Sequence, residues 1–355
     1  MLKPLPALVF LSATLAAQDP SLETLRQEGR WKQVRVRIDG WYRSSPQDPN
    51  ALLWMSRVKQ AFGEREAALD LARKAAALQG NNADIQAQLA AMAGMSAGAA
   101  DGMLKQYAFA KEMKKAGEAA LALQPDHEEA VEMMMAFYLQ APAIVGGGEA
   151  KAKALIQKVA LTRPVAALVM QANLAHKQKD RTAALGYVRQ ALAREPRSYE
   201  ALMALAASHL VVKPQELDAA LGVYRQAAAA HPKEPMAQAQ IAAILAEQGK
   251  WVELEAALAE SRRLLPDNLV PYYSAGRNLM DENKDLDRAE RLLRVYLSQP
   301  PEGGMPDLAK AHQVLGQVRE KQGRKAEAIA ELELALKLRP DFKAAKKDLE
   351  RLRKG

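Results

Sequence analysis

Five histidines, His127, His176, His209, His231 and His312, are the side chains of this sequence best suited to proton transfer or metal binding near neutral pH. None has a second histidine three or four positions away, so no helix face offers a ready pair of metal ligands. His127 and its neighbours Glu128 and Glu129 follow Pro125-Asp126, where a helix is expected to begin. Acidic side chains in a first turn favour the helix dipole, which makes capping the better account of this cluster. The carboxylate pairs Asp281-Glu282 and Glu331/Glu333 are expected in polar turns or on exposed helix faces. Gly146-Gly147-Gly148, with Lys151 and Lys153 close by, could offer free N–H groups to an anion at a helix N-terminus. No strand precedes it and no Gly-Lys-Ser/Thr ends it, so an elongated turn is the favoured reading. There is no Gly-x-Ser-x-Gly elbow, dinucleotide fingerprint or zincin motif. Without cysteine, thiolate zinc sites, iron–sulfur clusters, disulfides and cysteine nucleophiles are excluded together. We therefore assign no catalytic, cofactor-binding or metal-binding residue, and the chain is not expected to be an enzyme.

The 355 residues are 49% hydrophobic and 26% charged, a balance that supports folding, but only 5% are aromatic. So few aromatics argue against an all-β sandwich or a base-stacking surface. The formal charge of +8 is concentrated at the C-terminus: Lys337–Gly355 holds eight lysines and arginines against three acids. A nucleic-acid binder would spread basic charge over its contact face, so no nucleic-acid partner is expected. The basic end reads as a solubilising cap.

Met1–Ala17, MLKPLPALVFLSATLAA, places Lys3 before a short apolar run and then small residues. That is the order of a secretory signal with cleavage after Ala17. The run is too short to span a bilayer core, which takes about 20 residues as a helix. No later segment reads as a span either. An exported, periplasmic protein is expected.

Breaks carrying a proline recur at Asp48-Pro49, Gln124-Pro125, Arg163-Pro164, Glu195-Pro196, His231-Pro232, Leu265-Pro266, Gln299-Pro300 and Arg339-Pro340. From Pro125 onward they lie 32 to 40 residues apart, and proline cannot continue the helix before it. Between them run two amphipathic segments joined by a short polar turn. In Ala311–Pro340, Gly316 sits within the first segment, Gly323 marks the turn, and Ala328, Leu332 and Ala335 follow at helical spacing. Ala184 and Ala191, then Ala220, Tyr224 and Ala227, repeat those places. Small residues let helices close together, and one hairpin must stack on the next to bury its apolar face.

This pattern resembles the tetratricopeptide (TPR) repeat. It departs from it at Arg319, where an aromatic is usual, and at Ala172, Ser208 and Ala242, which replace a first-helix glycine. The resemblance implies an all-α fold: a right-handed α-solenoid of about nine TPR-like hairpins plus a C-terminal capping helix. The first hairpin is expected over about Ser21–Ser44, and the others start near Asn50, Asn82, His127, Val165, Ser198, Glu234, Leu269 and Asp307. The predicted organisation is a signal peptide over 1–17, an array over 18–340 with long variant repeats at about 82–164, and a basic cap and tail over 341–355. In the variant segment Gly94, Gly98 and Gly102 stand four apart, which favours an internal helix crossing, and a long helix is expected from about Leu104 to Leu123. The run Phe137-Tyr138-Leu139 through Ala141-Pro142, Ile144 and Gly146-Gly147 resembles that of bacterial exported TPR proteins sharing Phe-Tyr-Leu-x-Ala-Pro-x-Ile-x-Gly-Gly, a resemblance that implies no activity.

In TPR proteins the first helices line a concave face that holds peptides or partner proteins. Carried onto this sequence, that face would present Glu129, Glu132, Met236, Asn278, Asp281, Gln313 and Gln317. The expected function is a non-catalytic exported scaffold binding a protein or peptide, within an envelope-associated assembly. The alternatives are a solute-binding subunit of a periplasmic transport system and an accessory subunit of an envelope enzyme.

Overall fold

The computed structural model describes residues 20–354 apart from 213, 301 and 305. The leader expected over Met1–Ala17 lies outside the described residues. These form nineteen α-helices and one turn of 3-10 helix, with no strand among them. By their contacts they fall into two units: residues up to Arg26 with Trp31–Pro196, and Gln27–Arg30 with Arg197 onward.

The first unit carries five hairpins. They are α1 (Pro20–Gln27) with α2 (Trp31–Ser44), α3 (Pro49–Ala61) with α4 (Arg65–Leu78), and α5 (Ala83–Ala99) with α6 (Met103–Leu123). Then come α7 (Glu128–Gln140) with α8 (Glu149–Val159), and α9 (Pro164–Lys177) with α10 (Arg181–Arg194). The second unit carries α11 (Tyr199–Leu210) with α12 (Leu217–Ala230), α13 (Pro235–Glu247) with α14 (Trp251–Leu264), α15 (Val270–Asp281) with α16 (Leu286–Leu297), and α17 (Leu308–Lys321) with α18 (Lys325–Leu338). A single helix, α19 (Lys343–Lys354), closes it. The nine hairpins and the cap are those expected, and each first helix begins within one residue of its predicted start.

The starts have local causes. Asp48 accepts hydrogen bonds from the N–H groups of Asn50 (2.8 Å) and Ala51 (3.2 Å), while Pro49 supplies a first residue whose lost N–H costs nothing. Asn82, His127, Asp180, Ser198 and Asp307 cap other helices in the same way. The prolines thus divide into two groups. Pro125, Pro196, Pro232, Pro266, Pro300 and Pro340 lie in links, as expected, but Pro49 and Pro164 are the first residues of the following helices. The hairpin turn itself needs a left-handed residue. Gly249 (φ +67°) and Gly323 (φ +78°) provide it without strain, and Lys179 (φ +63°) and Asn283 (φ +53°) adopt it where glycine is missing.

Small residues occupy the crossings. Ala184, Ala191, Ala220, Ala227, Ala328 and Ala335 are fully buried, and so are Ala172, Ser208 and Ala242. A Cβ on Gly316 would stand 3.2 Å from the Ala328 carbonyl, and one on Gly276 would stand 3.0 Å from Leu293. In the variant repeat α5 and α6 cross at Gly94, where a Cβ would meet Met113 at 3.0 Å, so the internal crossing holds there. Gly98 faces open space, and Gly102 precedes α6 with φ +87°. Gly117 on α6 leaves no room beside Met134 of α7, whose Cγ would lie 2.9 Å from an added Cβ.

The glycine run at 146–148 is an elongated turn, and its N–H groups are spent inside it. Gly146 donates to the Ala143 carbonyl (2.9 Å), Gly147 to Pro142 (3.2 Å) and Gly148 to Tyr138 (2.8 Å). Lys151 Nζ donates to the Gly146 carbonyl at 3.0 Å, so the lysine closes the turn. The expectation for Glu331 needs correction. Far from lying on an exposed face, it is buried against α17, because Arg319 and His312 reach it there: Arg319 Nη1 at 2.8 Å and His312 Nδ1 at 2.5 Å. Arg319 stands in place of the aromatic usual in the resembled repeat, and fills the space with a charge network. Its Nε lies 3.5 Å from Glu290 of α16, whose other oxygen accepts from Arg324 at 2.6 Å. Burial alone would raise the Glu290 pKa, but the hydrogen bond from Arg324 and the surrounding guanidiniums hold it below the usual carboxylate range.

Candidate functional site

In the second unit side chains of the first helices pair with one another and with the cap helix. Asn278 Nδ2 on α15 donates to Glu247 of α13 at 3.2 Å, and Asp281 accepts from Arg277 at 3.3 Å. On α17, Lys310 Nζ donates to Gln313 Oε1 at 2.7 Å. Burial, and then Arg277 nearby, lower the pKa of this half-buried ammonium. Gln313 and Gln317 both donate to Asp348 of the cap helix, at 2.9 and 2.8 Å. Arg351, one turn further along the cap, donates to Glu320 at 2.8 Å. Above these pairs opens a cleft of about 540 Å³ lined by Met280, Asp281, Gln317, Glu320, Lys321 and Arg351.

The sequence-predicted residues divide accordingly. Asp281 and Gln317 line the cleft. Gln313 is buried, with 2% of its surface exposed, and its amide holds α19 in place. That corrects its expected role as an inward-facing ligand: the expected capping helix is present, but its Asp348 takes up the Gln313 amide and covers it. Asn278 is half-buried and joined to Glu247. Met236 is exposed at the start of α13.

Glu129 and Glu132 belong to the first unit, on α7. Glu129 is bound to Arg26 (2.8 Å) and to the buried Arg57 (3.2 Å). Arg57 lies over the Trp54 ring at 5.1 Å and also reaches Asp84 at 3.2 Å. His127 caps α7 by accepting from the Ala130 N–H at 3.3 Å, as expected of it, so its other nitrogen carries the proton and faces Asp84 at 3.4 Å. The hydrogen bond from His127, outweighing the effect of burial and joined by Arg57, lowers the Asp84 pKa to about 2. Glu132 is exposed and engaged with the rest of the chain.

A stability prediction follows. The folded pKa of Asp84 lies below its ordinary value near 3.9, so its contribution is complete above about pH 4 and lost as pH falls towards 2. Because half of this side chain is exposed, we expect about 1 kcal/mol. Asp84→Asn should destabilise the first unit by that amount at pH 7 in urea unfolding, and the difference from wild type should vanish near pH 2. A pH-independent difference would contradict the pairing.

Sequence reasoning missed Arg57, Asp84, Glu320, Lys321, Asp348 and Arg351. A usable signal was present. Gln313–Asp348, Gln317–Asp348, Glu320–Arg351 and Glu247–Asn278 are complementary pairs 31 to 35 residues apart. That is the distance from one repeat to the next.

Residues 309–342, the last hairpin and the link after it, match the tetratricopeptide repeat family model. No curated protein matches the sequence. Among solved structures, yeast Tom70 is 13% identical, with a TM-score of 0.49 over 97% of this chain and 88% of its own. TTC0263, a thermophilic TPR protein of Thermus thermophilus, is 20% identical over 53% of this chain and 98% of its own, with a TM-score of 0.38. YrrB, described as a TPR protein with an unusual peptide-binding site, is 17% identical over 55% of this chain and 97% of its own, with a TM-score of 0.33. TPR proteins in general mediate protein or peptide binding.

Proposed function

We propose that the protein is a non-catalytic exported scaffold whose second unit holds an extended peptide segment of a partner protein, in an assembly of the bacterial envelope. The observation that carries this reading is the open cleft above α15, α17 and α19, lined by Asp281, Gln317, Glu320, Lys321 and Arg351. Its side chains are of both signs and hydrogen-bonded to one another, with Arg351 on Glu320 and Gln317 on Asp348. The Arg351–Glu320 pair, at the cleft surface, contributes about 0–1 kcal/mol by itself, so a peptide's charged groups can replace one partner at small cost. The cleft is open along one side, which suits a chain lying through it better than an enclosed solute. Export is supported by the order of Lys3, the apolar run and the small residues before Gln18.

A photo-crosslinker placed at Arg351, on the wall of the same cleft, tests both parts in the producing cell. The expected result is one recurrent protein adduct in the envelope fraction, on a chain that begins at Gln18. Asp281→Lys with Lys321→Glu should reduce that adduct at least about tenfold, the effect of about 1.4 kcal/mol, with the circular dichroism spectrum unchanged. Adducts that are diverse and insensitive to the double variant would remove the peptide reading, and a chain retaining residues 1–17 in the cytoplasm would remove export.

A further inference from the structure

Helix α6 runs 21 residues, Met103–Leu123, against 13 to 14 for most of its neighbours. Its first six residues are all exposed. Met103 and Leu104 are 85% and 88% exposed and Tyr107 is 49% exposed. Single exposed apolar residues are ordinary; three within the first turn and a half of one helix are not. Further along the same face, Leu104, Tyr107 and Ala108 give way to Lys111 and Lys115, which follow at helical spacing. Lys105, Lys111 and Lys115 are exposed and have no acidic partner among the described residues. The acids nearby are committed: Glu112 to Arg73 at 2.7 Å, Glu118 to Lys114 at 3.9 Å, and Asp101 within the chain. The free charge on this part of α6 is therefore positive.

We propose that the N-terminal turns of α6 dock into an anionic lipid surface. Leu104 and Lys111 are separated by about 10 Å along the helix axis at 1.5 Å per residue. An interfacial helix buries its apolar part about 5–10 Å into the boundary between headgroups and acyl chains. A helix entering by its end would thus seat Met103, Leu104 and Tyr107 in that layer. Lys111 would then lie level with the phosphates, Lys115 would stand about 6 Å further out with a stem that can reach back towards them, and Lys105 can extend its ammonium outward along its own stem. A protein partner fits less well, because lysine is depleted from protein interfaces. No helix among the described residues is long and apolar enough to cross a membrane, so the contact is peripheral.

Sedimentation of the full chain with vesicles tests this, comparing 30% phosphatidylglycerol in phosphatidylcholine with phosphatidylcholine alone. Binding is expected on the anionic vesicles in 0.1 M salt and should fall sharply in 0.5 M. Lys111→Ala with Lys115→Ala should weaken it about 25-fold, at about fivefold per lysine. Leu104→Ala with Tyr107→Ala should weaken it at least about tenfold through lost apolar burial. All four positions are exposed, so the fold should persist, which circular dichroism verifies. In vesicles, Leu104→Trp should give emission shifted to the blue. Failure to bind anionic vesicles, or binding untouched by both double variants, overturns the proposal. So does loss of self-association or of a protein complex, instead of lipid binding, in the Leu104/Tyr107 variant.

Discussion

Arg319→Met should destabilise the last two hairpins by about 2–3 kcal/mol, because it takes from two buried carboxylates the guanidinium they share. The side chains of Arg319, Glu290 and Glu331 are only 11%, 11% and 9% exposed. Glu331 would retain His312, and Glu290 would retain Arg324 and Arg294, but the guanidinium between them would be gone. An array of hairpins loses stability locally, so hydrogen exchange should accelerate across α16, α17 and α18 while the first unit is unaffected. A triple change, Arg319→Met with Glu290→Met and Glu331→Leu, removes all three charges. It should recover most of the loss, since a buried ion network replaced entirely by apolar groups of similar volume is often no less stable. If Arg319→Met alone cost under about 1 kcal/mol, the network would be behaving as a solvated surface pair.

Gly147→Ala should destabilise the fourth hairpin by about 2–3 kcal/mol, the cost of forcing atoms into filled space. An added Cβ would overlap the Ala141 carbonyl, with the carbonyl carbon only 2.6 Å away. Moving the backbone to admit it would strip the hydrogen bond from the Gly148 N–H to Tyr138 and that from Gly147 to Pro142. The effect should appear as earlier thermal unfolding of α7 and α8, where Phe137, Tyr138, Leu155 and Ile156 share one apolar cluster. An anion-binding loop would behave differently, losing affinity for phosphate with its melting temperature unchanged. That result would restore the reading which the internal hydrogen bonds of residues 146–148 oppose.

Both predictions concern places where this chain departs from the repeat it resembles, and the departures differ in how readily they are read. The glycine run was visible as an oddity, and its two readings could be ranked on the missing strand and missing Gly-Lys-Ser/Thr ending. Arg319 was visible as a missing aromatic, but nothing local paired it with Glu290 and Glu331, which lie on two other helices. The candidate site followed the same rule. Asp281 and Gln317 could be placed from register, whereas Asp348 and Arg351 belong to a helix read as a solubilising cap, with no groove residue assigned to it.

Helix number, hairpin starts and most crossing positions were legible because each rests on neighbours within a few residues, whereas the left-handed Lys179 and Asn283 and the open position of Gly98 were not. A cap binds the N–H groups two or three positions on, a proline sets its own φ, and a small residue every fourth place keeps to one face. Which charges would be buried, and which amides would be consumed by the cap helix, depended on stacking one repeat against another. Gln313 carries the same side chain whether it meets solvent, a bound peptide or Asp348, and it becomes a structural tether because α19 covers it. Interactions at a separation of one full repeat form only once neighbouring hairpins are in register, and the energy of a charge is set by how much water that register removes.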